Sequence, residues 1–238
     1  MSILYVLFML VLFLVLAVIF IVAITMQSVW QMARGVSLTR VDPAQDSRAA
    51  KAEQQHAEWA YRQGFDTYLG SYLIRLGTDC YIAAWQHRQR PTYFCVYYTA
   101  NRFLFDFATI FSENRGLTTG STKDGQFLPK PPGDYIQTFS GLSLDEQFNQ
   151  HAVSEHYLMT AGRLQLLSVP WTFEEAVLES IKMQAAYIQS LSMWPMRAPY
   201  WFFIRKGRLH NKSIEELHNA GMAPLPHEPG FQEFVYRG

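Results

Sequence analysis

Thr92-Tyr-Phe-Cys-Val-Tyr-Tyr-Thr99, Ala100-Asn101-Arg102 and Phe103-Leu-Phe-Asp-Phe-Ala-Thr-Ile-Phe111 form the stretch whose reading decides the fold. The first run is dense in aromatic and β-branched side chains and reads as a strand. Asn101-Arg102 reads as a tight turn, because Asn tolerates positive φ. The second run alternates. Phe103, Phe105, Phe107, Thr109 and Phe111 fall on one face, and Leu104, Asp106, Ala108 and Ile110 on the other. Two strands joined this closely must be antiparallel neighbours.

The same pattern extends outward on both sides. Thr67–Arg75 and Tyr81–His87 read as strands, separated by turns at Leu76–Asp79 and Arg88–Pro91. Leu117–Ser121 follows the turn Glu113–Gly116, and Tyr135–Phe139 adds an edge strand after the Pro/Gly loop Thr122–Gly133. The expectation is an antiparallel β-meander of about five or six strands. Helices flank it. Ser47–Gln63 precedes the strands. Ser143 and Thr172 N-cap helices running to about Ala161 and Met193, with acidic residues in each first turn. Ser213 and Glu216 form a capping box that opens Ile214–Asn219. Helix, strands, then helices is the order of an α+β domain with its helices packed on one face of the sheet. Tyr200–Arg205 reads as a buried strand or an interfacial segment, and 223–238, with its three prolines, as an irregular tail.

Ile3–Met26 holds no charged residue, no Pro and no Gly. A helix needs roughly 20 apolar residues to cross the hydrocarbon core. Trp30 follows at the position of an interfacial aromatic. The run lacks a basic leader and is longer than the core of a cleaved signal peptide. Residues 1–33 are therefore expected to form a transmembrane anchor, 34–46 a linker and 47–222 one folded domain. Arg34, Arg40, Arg48 and Lys51 follow the span. Basic residues stay cytoplasmic, which sets the N-terminus outside and the domain in the cytoplasm.

Lys+Arg and Asp+Glu are both 20, giving a formal net charge of zero. A nucleic-acid binder carries a basic excess, so nucleic acid is not an expected partner. Cys80 and Cys95 are too few for a disulfide scaffold and read as buried thiols. No cofactor or metal fingerprint is present; Gly116–Gly125 has the wrong spacing for a phosphate loop.

Three sets of residues invite chemistry. His151 and Glu155 lie one helical turn apart and could serve as a base or a metal ligand, although neither zinc-protease spacing is met. Asp106 interrupts an apolar alternation and needs a partner, with Arg75, Arg102 and Arg115 available in the sequence. Trp30 and Arg34, with Trp201, Arg205, Lys206 and Arg208, suit a membrane interface. The leading functional expectation is a membrane-tethered binding or scaffold module with a protein partner at the bilayer surface. The alternatives are a membrane-bound hydrolase built on His151/Glu155 or Asp106, and a domain holding a lipid or small ligand beneath the Phe103–Phe111 phenylalanine face.

Overall fold

The computed structural model describes residues 3–76, 78–168 and 172–235. The chain is α+β with a seven-stranded, mostly antiparallel sheet whose strands lie in chain order. The strands are β1 (Leu38–Val41), β2 (Thr67–Leu76), β3 (Thr78–Gln86), β4 (Thr92–Thr99), β5 (Arg102–Phe111), β6 (Arg115–Gly120) and β7 (Asp134–Thr138). The helices are α1 (Ile3–Arg34), α2 (Ser47–Arg62), α3 (Leu144–Thr160), α4 (Phe173–Ser190), α5 (Trp194–Tyr200), α6 (Lys206–Leu209) and α7 (Ile214–Asn219).

The deciding hairpin forms, with its turn at Ala100-Asn101, one residue earlier than the Asn101-Arg102 expected, because Arg102 already pairs within β5. Thr99 pairs with Arg102, and Phe94 with Phe107. Ala100 and Asn101 both take positive φ, 47° and 58°, as a two-residue turn with the twist of the strands demands. Ala carries a cost in that conformation that Gly does not. Ala100→Gly should raise stability by about 0.5–1 kcal/mol, read as a higher melting temperature; an unchanged or lower value refutes this account of the turn.

Four expectations are corrected. The sheet gains β1 inside the segment read as linker, where Leu38 and Val41 pair with Ile74 and Ser71. β7 runs parallel to β6, because residues 121–133 carry the chain back across the sheet before it re-enters; parallel strands require such a crossover. Tyr200–Arg205 is helical: Tyr200 ends α5 and Trp201–Arg205 is a π-helical turn leading into α6. Pro199 in the preceding turn lacks an amide hydrogen and crowds the carbonyl four residues back, which accounts for the widening. Finally, helices cover both faces of the sheet. On one face α2 and α3 bring Trp59 and Phe148 onto Phe65, Trp85, Phe94 and Phe107. On the other, Phe173, Val177 and Ile181 of α4 meet Tyr72, Ile82, Ala84, Tyr93 and Cys95.

The first face is an aromatic core. Phe94 and Phe107 stack at 5.1 Å between centroids, and Trp59 lies 5.0 Å from Phe94. The Trp59 indole N–H donates to Asp145 at 2.9 Å, tying α2 to the first turn of α3. The outer edge of β7 is also closed by hydrogen bonds. The Asn211 N–H donates to the Thr138 carbonyl at 2.8 Å, and the Gln126 amide to the Ile136 carbonyl at 3.4 Å.

α1 is long and apolar enough to cross a membrane. Its first part stands clear of the domain, but Ile21, Met26 and Val29 pack against Ile188 of α4 and Trp194, Ala198 and Trp201. The helix therefore continues unbroken into the domain, and its last turns belong to the domain's packing.

Candidate functional site

One opening faces α4. It is a cavity of about 470 Å³ between that helix and the second face of the sheet, within the range of small-molecule sites. Its walls are mainly apolar, with Ile74, Ile82, Phe173, Val177 and Ile181 among them. A polar group gathers within it: Asp106, Asp134, Lys130 and Tyr97.

Each member is placed by a different element. Asp106 sits on the inner face of β5, half-buried, where the Tyr97 hydroxyl donates to its Oδ2 at 2.8 Å. Its Oδ1 is buried and accepts no conventional hydrogen bond. The Cys95 thiol, on the residue paired with it across β4 and β5, is the weak donor nearby. Burial pushes the Asp106 carboxyl up to about 6, against the opposing pull of Tyr97 and Lys130. Asp134, at the start of β7, is likewise raised by burial to about 6, with Lys130 and the Gly116 N–H pulling the other way. Lys130 stands on the crossover between β6 and β7 and donates to Ser180 of α4 at 3.3 Å. The crossover that makes β7 parallel thus also delivers the ammonium group to the two carboxyls.

Burial raises the Cys80 thiol to about 11 and lifts the Cys95 thiol and the Tyr97 phenol well above their ordinary values. All three stay protonated at neutral pH, so none is an activated nucleophile. Cys80 pairs with Ile74, and Cys95 with Ala84. Four residues of β3 separate the two thiols, roughly 13 Å at strand spacing, too far for a disulfide; both are free. The cavity chemistry is that of recognition: hydrogen-bond donors and acceptors with one ammonium among two carboxyls.

Asp106 faces this cavity, but none of the three arginines expected beside it pairs with it, although Arg115 also lines the cavity. Arg75 pairs with Asp79 and Arg115 with Glu113, while Arg102 is exposed at the hairpin end. Tyr97 and Lys130 take that place. The phenylalanine face expected to line a cavity does not do so: Phe105 and Phe107 pack in the α2/α3 core, and the cavity opens on the other side of β5.

His151 and Glu155 lie together on the α3 side of the sheet, away from the cavity, in a buried network. The Thr109 hydroxyl donates to Glu155 Oε2 at 2.7 Å, so it accepts from His151 Nε2 at 2.9 Å. Gln137 donates to the Thr119 hydroxyl at 2.9 Å, so Thr119 donates to His151 Nδ1 at 2.8 Å. Arg90 completes the chain on Glu155 Oε1 at 3.2 Å. These directions assign the Nε2–H tautomer. Burial, reinforced by Arg90, lowers the imidazole to about 3. Both ring nitrogens are engaged by protein, so this histidine pins α3 to the sheet. Among the described residues no three of His, Cys, Asp or Glu converge as a metal would require.

The membrane-interface set divides. Trp30 is exposed, with the Arg34 guanidinium 5.9 Å from its ring, and Arg208 is exposed. Trp201 is buried against α1. Arg205 donates to the Gln126 carbonyl at 2.6 Å, and Lys206 to Asp124 at 2.8 Å.

Lys130 and Asp134 were not singled out by sequence reasoning. The rigid Pro129-Lys130-Pro131-Pro132 run, with a lone cation between prolines, was the available signal. No protein-family model, curated protein or solved structure matches the chain.

Proposed function

We propose that this chain is a membrane-anchored binding module whose cavity beneath α4 takes a small, mainly apolar molecule carrying an amine or a comparable donor group. The observation that carries the reading is the pair Asp106 and Asp134, held in a mainly apolar cavity with Lys130 acting on both, while Arg115, which also lines the cavity, is paired with Glu113. With Arg115 taken up by Glu113, two carboxyls face one ammonium, and a cationic or donor head fits that balance better than an anionic one. The absence of an activated thiol or phenol at this site favours binding over covalent chemistry. In this reading α1 crosses the bilayer with the domain on the cytoplasmic side, the side of Arg34, Arg40, Arg48 and Lys51.

Asp106→Asn tests it. An acid raised from 3.8 to about 6 adds stability below 3.8, and that stability is lost as the pH rises through 6. Above pH 6 the folded chain carries an ion it would hold more cheaply as a neutral group. The Asn variant should therefore be more stable than the native chain by about 1–3 kcal/mol at pH 7–8, with the gain gone near pH 4. It should also bind n-octylamine at least about ten-fold more weakly, a loss of roughly 1.4 kcal/mol, with octanoate binding neither protein. Val177→Trp, which fills the cavity, should abolish octylamine binding. Octylamine binding that neither substitution weakens would refute the site, as would no binding at all.

A further inference from the structure

We infer that Trp194–Leu209 is a second membrane-contact element, lying in the interface of the leaflet from which α1 emerges and seated on anionic headgroups. The inference rests on α1 crossing a bilayer. Two stripes run along this segment. Trp194, Ala198, Trp201 and Leu209 are buried, the first three against α1 and α4. Met196, Tyr200, Phe203 and Ile204 follow the i, i+4, i+7, i+8 spacing of a single face and are 68, 46, 55 and 49% exposed. A helix that is apolar all round is normally buried on all sides. Here the domain covers only one side.

The position of the uncovered stripe identifies what covers it. Its buried counterpart packs on Ile21, Met26 and Val29, where α1 passes from its uncovered part into the domain. The exposed stripe is thus continuous with the lipid-facing surface of α1. Charge points the same way. Between Glu179 and Glu215 the chain has no acidic residue and six basic ones: Lys182, Arg197, Arg205, Lys206, Arg208 and Lys212. Arg205 and Lys206 are engaged within the domain, which leaves the exposed Arg197 and Arg208 to meet phosphate. Basic side chains beside an apolar stripe are what an interfacial helix presents to anionic lipid.

The test uses the full chain in a Cys80→Ala, Cys95→Ala background. It is reconstituted at low protein density into phosphatidylcholine vesicles with and without phosphatidylglycerol. A fluorophore is attached through Met196→Cys, Phe203→Cys, Leu12→Cys or Tyr61→Cys, one at a time. Aqueous iodide and nitroxide-labelled lipid then report which side each label occupies. With phosphatidylglycerol present, the labels at 196 and 203 should be quenched by nitroxide lipid and reached by iodide several-fold less than the label at 61. Arg197→Glu with Arg208→Glu should restore iodide access at both positions. If the label at 12 is in lipid while those at 196 and 203 are as open to iodide as the label at 61, this inference falls and the anchor stands. If the label at 12 is itself open to iodide, the anchor falls and takes the inference with it. Shielding that disappears on further dilution of protein in lipid would assign the stripe to a second copy of the chain, overturning the membrane contact.

Discussion

Phe94→Ala should cost the domain about 3–5 kcal/mol and lower its melting temperature by roughly 10 °C. Phe94 is fully buried and touches more of the aromatic core than any single contact suggests. It stacks on Trp85 at 5.7 Å and on Phe107 at 5.1 Å, and meets Trp59 at 5.0 Å and Phe65 at 5.8 Å. Those neighbours come from α2, β3, β5 and the turn after α2. Removing the ring therefore opens a void that no single element can close by shifting. Phe103→Ala is the control. Phe103 is 36% exposed and meets the Tyr98 ring at 5.0 Å, so its loss should cost under about 1 kcal/mol. Thermal melts of both variants in the same detergent decide the matter, and equal shifts would refute a core centred on Phe94.

His151→Leu should cost about 2–4 kcal/mol at neutral pH, and the cost should shrink in acid. Leucine has nearly the right bulk, but it leaves the Thr119 hydroxyl without its acceptor and removes the donor to Thr109. The pH dependence follows from the lowered imidazole. The unfolded chain takes up a proton near 6.5, whereas the folded chain refuses it until about 3. Stability from the neutral ring is complete above 6.5 and is lost as the pH falls towards 3. The leucine variant has no such slope. Urea midpoints of the two proteins, measured between about pH 4 and 8, should converge on acidification. Parallel curves would mean that this ring is not held neutral.

Much of the fold is legible in local chemistry. The alternation of Phe103–Phe111 gives the faces of β5 correctly, and the N-caps expected at Ser143 and Thr172 and the capping box expected at Ser213 all form. β1 is not legible: Leu38-Thr-Arg-Val41 is too short to show a period, and it becomes a strand only because the edge of β2 is there to pair with. That helices cover both faces could have been read from β4. Thr92–Val96 is buried without a break, and a strand apolar on successive residues faces a core on both sides. The cavity escapes for a different reason. Asp106, Lys130 and Asp134 come from a strand, a crossover and a second strand, and they meet only because β7 turned out parallel. Helix spacing puts His151 and Glu155 on one face but cannot reveal that Thr109 and Thr119 already occupy the ring nitrogens.

The hydrogen bonds from Asn211 and Gln126 to β7 bear on how this chain keeps apart from its own copies. A bare strand edge is a template on which another chain can add a strand, the first step towards fibrils. At β7 the Thr138 and Ile136 carbonyls already have donors, so that template is closed. Extension of the sheet is left to β1, four residues long, where Arg40 folds back to donate to the Leu69 carbonyl and Pro43 stands two residues past the strand. An aromatic-rich chain of this kind would otherwise be prone to polymerise edge to edge.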